Sequence, residues 1–218
     1  MAKNTEEANR IYAVVADYRQ KQMKGRIIDL VPFGQEWIKD FVRVRNAERN
    51  LYFFNQESLL TEESQMEWYL KYLKRQDDLF WCILDKKGRF LGSVRLYDID
   101  TQNSSLNHGS FMIDAKVADE APYALEAELM SLDFAFSALH VQQVINENRY
   151  DNKVMNNLSA SMGFVFVKDT CIGGVPYKYH LLYEDAYKEK RPAIERIVAY
   201  WAKRLGGGLA ARNATKER

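Results

Sequence analysis

The sequence predicts an α/β or α+β fold built on one mainly antiparallel sheet. Three observations carry this. Short apolar runs of strand character alternate with stretches whose apolar residues recur at helical spacing. Asp85-Lys86-Lys87-Gly88 separates two such runs as a hairpin turn, with Gly88 supplying positive φ. Asp119–Phe136 turns from a loop into a helix, and Leu125, Leu129, Leu132, Phe136 and Leu139 give that helix one apolar face. A strand precedes it at Leu106–Ile113 and another follows at Val141–Glu147. A helix whose N-terminus points back at a strand–loop junction offers free N–H groups and a positive dipole end to an anion.

The remaining elements follow in order. Asn4–Gln22 carries Ile11, Val14, Val15 and Tyr18 on one helical stripe, which must bury on this domain or on a partner. Arg26–Leu30 reads as a strand and Gln35–Val44 as a helix; Arg45-Asn46 and then Leu51–Asn55 (LYFFN) follow, with no element assigned. Thr61 opens a further helix, with Met66, Tyr69, Leu70 and Leu73 on one face. Strands are expected at Leu79–Leu84 and Phe90–Tyr97, and Gln102–Ser104 turns into the strand at Leu106. Asp151–Met162 reads as a helix capped by Gly163. Phe164–Lys168 and Tyr177–Tyr183 form a hairpin around Gly173-Gly174, which leaves Cys171 in a loop. Pro192 is placed to start a last helix with Ile194, Ile197, Val198, Trp201 and Leu205 as its stripe. Gly206-Gly207-Gly208 ends it, and Leu209–Arg218 is a mobile tail.

Composition narrows the function. Lys plus Arg total 31 against 30 Asp plus Glu, so nothing electrostatic favours a nucleic acid or a membrane surface. Two cysteines, Cys82 and Cys171, make no disulfide framework and suit a reducing compartment. The opening MAKNTEEANR lacks the apolar core of a signal peptide, and a soluble, cytoplasmic protein is expected. No His, Cys and carboxylate set has metal-ligand spacing, and no metal is expected.

Four segments together, GSVRLYDID, SLNHGSFMI, YALEAELMSLDFAF and ENRYDNKVMNNLSASMGFV, resemble the GNAT superfamily of acyl-CoA N-acyltransferases. Within it the chain is most similar to the branch of ribosomal-protein N-terminal and nucleotide-sugar amine acetyltransferases. The resemblance covers about Ile27–Tyr183 and implies an α+β fold: a mixed, mainly antiparallel central sheet with helices on both faces. The domain is expected over 26–183, with an N-terminal helical extension at 1–25 and a C-terminal helix and tail at 184–218.

What the resemblance implies for the site is specific. The donor, acetyl-CoA, lies along Phe111, Met112 and Ile113, pairing with that strand, with its pyrophosphate at Tyr123 and Ala124. An N–H near Met112 stabilises the oxyanion. Asn152 falls where an amide bonds the carrier, though it equally suits a helix N-cap. Ser159 falls where many members have a tyrosine that protonates the leaving thiolate. Asn107 falls where a glutamate base is common, and an amide cannot take that proton. His108 can, but strand alternation turns it to the opposite face. Arg45, Asn46, Phe54, Asn55 and Arg95, with Trp68, lie in the region that meets the acceptor. Arginine there suits an acidic acceptor such as a nucleotide diphosphate.

The pyrophosphate loop departs from the pattern. Asp119, Glu120 and Pro122 stand where a basic or amide residue and two glycines are usual. Two carboxylates oppose phosphate, and Pro122 has no N–H to give. Two functions therefore stay open: acyl transfer from CoA to a primary amine, with a nucleotide-linked amino sugar as acceptor, or an inactive binding or regulatory subunit that does not take acetyl-CoA. The terminal helices suit a protein partner or a homodimer.

Overall fold

The computed structural model describes residues 2–214, with side chains described for 5–206. The chain begins with α1 (Ala2–Tyr18), β1 (Met23–Lys24) and β2 (Ile28–Pro32). A 3-10 turn (Gln35–Trp37) leads into α2 (Ile38–Arg45), followed by α3 (Glu48–Phe53) and α4 (Glu62–Tyr72). Then come β3 (Asp78–Asp85), β4 (Phe90–Asp100), β5 (Ser105–Ile113) and α5 (Tyr123–Ser137). The chain closes with β6 (Gln143–Arg149), α6 (Lys153–Met162), β7 (Val165–Ile172), β8 (Val175–Tyr183) and α7 (Glu184–Ala214). The strands form one sheet in the order β1-β2-β3-β4-β5-β6-β8-β7. Every neighbouring pair is antiparallel except β5 and β6, which run parallel.

The sheet is buried on both sides, and β3 shows why. Leu79, Trp81 and Ile83 enter one core with α1, α5 and α7, while Phe80, Cys82 and Leu84 enter a second with α2 and α4. Alternation along an extended chain sends successive residues to opposite faces, and here both faces are apolar. Each fully buried Leu or Ile contributes roughly 2 kcal/mol.

α5 is the most enclosed helix. Leu129, Leu132 and Phe136 are buried as the spacing requires, but so are Tyr123, Glu126, Glu128 and Phe134. Glu126 explains part of this. Its carboxylate accepts from the N–H groups of Arg26 (2.5 Å), Ile27 (2.7 Å) and Ile28 (2.9 Å), tying the start of β2 to α5. α6 has both expected caps: Asn152 accepts from the Met155 N–H at 3.2 Å, and Gly163 adopts φ 97°. A side chain at Gly163 would also meet the Ala186 carbonyl at 2.9 Å.

Leu51–Asn55, left unassigned by the sequence, belongs largely to the short helix α3. Several expectations are corrected. Met23 and Lys24, assigned to an extension, are an edge strand of the sheet. On α4, Gln65 and Tyr72 are buried while Leu70 and Leu73 are about half exposed. The inward face is set by ring packing of Tyr72 and Trp68 on Phe80, which a count of aliphatic residues misses. Cys171 lies within β7. α7 starts at Glu184, directly after β8, so Pro192 sits inside it rather than in its first turn. The lost N–H costs up to about 3 kcal/mol, offset by burial of Tyr187, Ile194 and Val198. The helix also runs through Gly206–Gly208 to Ala214, and the last four residues of the expected tail lie outside the described ones. Of the two terminal stripes, expected to be shielded within the chain or across a subunit contact, Ile11 and Val15 are buried and Trp201 packs on the core, while Ile197 is 44% exposed in the single chain.

No helix among the described residues is long and apolar enough to cross a membrane.

Candidate active site

The central feature is a fork in the sheet. β5 and β6 pair at Ser105↔Gln143, Leu106↔Val144 and Asn107↔Ile145, and no further. Beyond those pairs β5 runs on to Ile113 and β6 to Arg149, leaving an open slot between two unpaired strand edges. A bulge accompanies the parting. Ser93 pairs with Met112 and Arg95 with Gly109, so β5 carries one more residue than β4 over that span. Ser110 absorbs it with φ 46°, and the Ser93 hydroxyl donates to the Ser110 carbonyl at 2.9 Å. An extra residue bends its strand, and here that accompanies β5 leaving β6.

The free arm of β5 holds Phe111 and Met112, both buried, and Ile113. Phe111 and Ile113 pack toward α5, and Met112 toward α2 and α4. The loop after it leads to α5. Pro122 is the N-cap, so the helix starts at Tyr123. The Tyr123 N–H is spent on the Ala121 carbonyl at 2.7 Å, and that of Leu125 on Pro122 at 3.0 Å, which leaves Ala124 as the first-turn donor facing the loop. Glu120 does not stand as a free charge. Arg89, in the hairpin turn between β3 and β4, grips it through two bonds of 3.1 and 2.5 Å, and this pairing holds its carboxyl below the usual range. Asp114 is likewise held by Arg43 at 2.6 Å.

His108 and Asn107 lie on opposite sides of the sheet, as alternation required. His108 is buried under α5, with Nε2 3.1 Å from the Ser131 hydroxyl and 3.4 Å from Glu128. Burial pushes the imidazole down to about 4 and the Glu128 carboxyl up to about 8, so the two sit as a neutral pair. Asn107 faces the other side and donates to Asp98 at 3.2 Å. Ser159 is buried on the α6 side. It accepts from Asn148 at 2.9 Å and donates to Asn146 at 3.4 Å, so its hydroxyl is committed. Asn146 also reaches the His108 carbonyl at 3.4 Å across the fork. The side chain of Asn152 is the cap of α6.

The residues that the resemblance assigns to the acceptor lie toward the α2–α4 face. Arg45 is mostly buried, lies 3.4 Å above the Phe54 ring and is steadied by Gln56 at 3.1 Å. It makes no ion pair among the described residues, and burial pushes it down to about 10. Asn46 fixes the following loop through both Leu60 backbone groups, at 2.8 and 2.9 Å. Asn55, at φ 49°, approaches Gly173 in the β7–β8 turn. Arg95 is occupied: it pairs with the sealed Asp78 and lies over Trp68 and Tyr97.

Sequence reading missed Tyr52, Tyr97 and Arg149. Arg149 stacks on Tyr52 at 3.7 Å and donates to its carbonyl at 2.9 Å, closing α3 onto the end of β6. Tyr97 lies within the quoted LYDID run, but its position over Gly109 depends on register. Among the described residues no group of three or more His, Cys, Asp or Glu is placed to hold a metal.

A sheet forked between two parallel strands, with a helix N-terminus at its mouth, defines an acyltransferase-type domain. Residues 28–165 match the family model described as an acetyltransferase (GNAT) domain, and the chain belongs to that family. No curated protein matches it. Among solved structures it resembles a GCN5-related N-acetyltransferase from Brucella melitensis, at 19% identity and TM-score 0.70, over 82% of this chain and 86% of that one. It resembles FdhC, a nucleotide-linked sugar GNAT, at 21% identity and TM-score 0.70, over 82% and 98%. A spermidine N-acetyltransferase from Vibrio cholerae, solved with CoA and spermine, aligns at 16% identity and TM-score 0.68, over 75% and 99%.

Proposed function

We propose that this chain moves an acetyl group from acetyl-CoA to a primary amine, and that the acceptor is a nucleotide-linked amino sugar. The open edge of β5 supports the donor side: an extended pantetheine-like arm pairs with free strand N–H and C=O groups as an added strand does. The neutral amine then attacks the thioester directly, with strand N–H groups near Met112 receiving the oxyanion. Arg45 carries the acceptor side. A mostly buried guanidinium stacked on Phe54 without a carboxylate partner suits a phosphate arriving with the substrate. A polyamine brings no such group. The loop before α5, with Glu120 holding Arg89 and few N–H donors left, supports weak affinity for the donor.

The same loop, with Asn107 and Ser159 both committed, favours the second reading of an inactive binding subunit. Thermal melting with acetyl-CoA separates the two. Saturation at 100 times Kd adds about 2.7 kcal/mol, and no shift at millimolar acetyl-CoA overturns the enzyme reading. For the acceptor, Arg45→Gln is expected to weaken binding of a nucleoside diphosphate about 10-fold or more while leaving spermidine unaffected. Tighter binding of spermidine than of any nucleoside diphosphate overturns the sugar-nucleotide assignment.

A further inference from the structure

We propose that Tyr97 is the proton donor to the leaving sulfur, acting at the point where β5 and β6 part. This rests on the acyl-transfer reading above. When a thioester is aminolysed the departing thiolate takes up a proton, and a hydroxyl at the fork is placed to supply it. Ser159 is the hydroxyl nearest in sequence pattern, but it lies on the α6 side and is shared between Asn148 and Asn146.

Tyr97 is placed differently. It pairs with Asn107, the last β5 residue joined to β6, and its ring leans forward along β5 over Gly109. A Cβ at Gly109 would meet both the phenol oxygen and the ring edge at 3.1 Å. Glycine at 109 therefore clears the space the ring occupies, one residue before the Ser110 bulge. Arg95, two residues earlier on the same strand, lies over the ring with its guanidinium 4.6 Å from the centroid. The hydroxyl makes no hydrogen bond among the described residues. Burial raises its pKa, with Arg95 opposing, so the phenol keeps its proton at neutral pH.

The step balances. The neutral amine nitrogen attacks the thioester carbonyl carbon, and a C–N bond forms. Collapse of the tetrahedral intermediate breaks C–S; sulfur takes the electron pair and the Tyr97 proton and leaves as CoA thiol. The phenolate regains a proton from the nitrogen, now cationic, and a neutral amide remains.

The test is Tyr97→Phe, which keeps the ring over Gly109 and under Arg95. Turnover of acetyl-CoA, read as thiol release with a nucleotide-linked amino sugar and with spermidine, is expected to fall about 100-fold in kcat with little change in KM for the donor. With the acetyl ester of seleno-CoA, whose leaving group needs no proton, the loss is expected to shrink to a few-fold. A structural role would cost the same with both donors. NMR titration to millimolar ligand supplies a readout without turnover. The unmodified chain is expected to prefer CoA over desulfo-CoA about 5-fold or more, and Tyr97→Phe to show no preference. Equal loss with thioester and selenoester, or an unchanged preference for the thiol in the variant, overturns the proposal. Binding of both ligands without preference by the unmodified chain also overturns Tyr97 while sparing the acyl-CoA reading; binding of neither overturns that reading itself.

Discussion

On the α5 side of the sheet, charge is closed off. Glu126 has only 3% of its surface exposed yet accepts three backbone N–H groups, and two residues later Glu128 has only His108 beside it. On the α2–α4 side, charge is either ion-paired, as Arg95 is with Asp78, or held by neutral groups with no carboxylate among the described residues, as Arg45 is by Gln56 and Phe54. The two sides teach different lessons. A carboxylate sealed against N–H groups serves the fold, because nothing from outside reaches it. A mostly buried guanidinium above an aromatic ring with no carboxylate partner costs stability.

The largest expected effect is on the sealed side. Glu126→Ala leaves three N–H groups at the start of β2 without acceptors and is expected to cost about 3 to 5 kcal/mol in urea unfolding. A loss below 1 kcal/mol would remove Glu126 as the tie between β2 and α5. On the other side, Asp78→Ala leaves Arg95 enclosed and unpaired, for which about 3 kcal/mol is expected. If the double change Asp78→Ala with Arg95→Met is no more stable than Asp78→Ala, the pair is not the source of the loss.

The His108–Glu128 pair gives a smaller effect with a defined sign. Glu128 is raised from 4.5 to about 8 by burial, so its contribution is fully present below pH 4.5 and is lost as pH rises to about 8. His108 is lowered from 6.5 to about 4, so it contributes in the opposite sense, and its own change is complete by pH 6.5. Between pH 6.5 and 8 only the Glu128 loss remains, on the order of 1 kcal/mol per pH unit. Melting of Glu128→Gln across that window is expected to be flat where the parent declines; parallel curves would show that Glu128 does not titrate there.

The smallest effect lies at the loop before α5. Glu120→Gln releases Arg89 toward the α5 N-terminus and is expected to tighten acetyl-CoA by roughly 3- to 10-fold in calorimetry. Unchanged affinity would mean that Arg89 does not reach the donor.

What the sequence determined by itself was the order and kind of most elements. Those rest on local signals: apolar period, the Asp85–Gly88 turn, the Asn152 and Gly163 caps. It also separated Asn107 from His108, since alternation along a strand is fixed by backbone geometry. Tertiary structure alone decided the rest. Pro192 inside α7 is tolerated because Ile194 and Val198 bury against the core, an energy no local rule contains. The inward face of α4 follows ring packing on Phe80, not the leucine count. Glu120, read as a charge facing phosphate, is paired with Arg89 from a turn distant in sequence. Arg45 has no carboxylate partner among the described residues and Arg95 has one, although both were expected to face the acceptor. Which charge is left for a ligand depends on which carboxylates the folded chain brings within reach, and that is a property of long-range contacts.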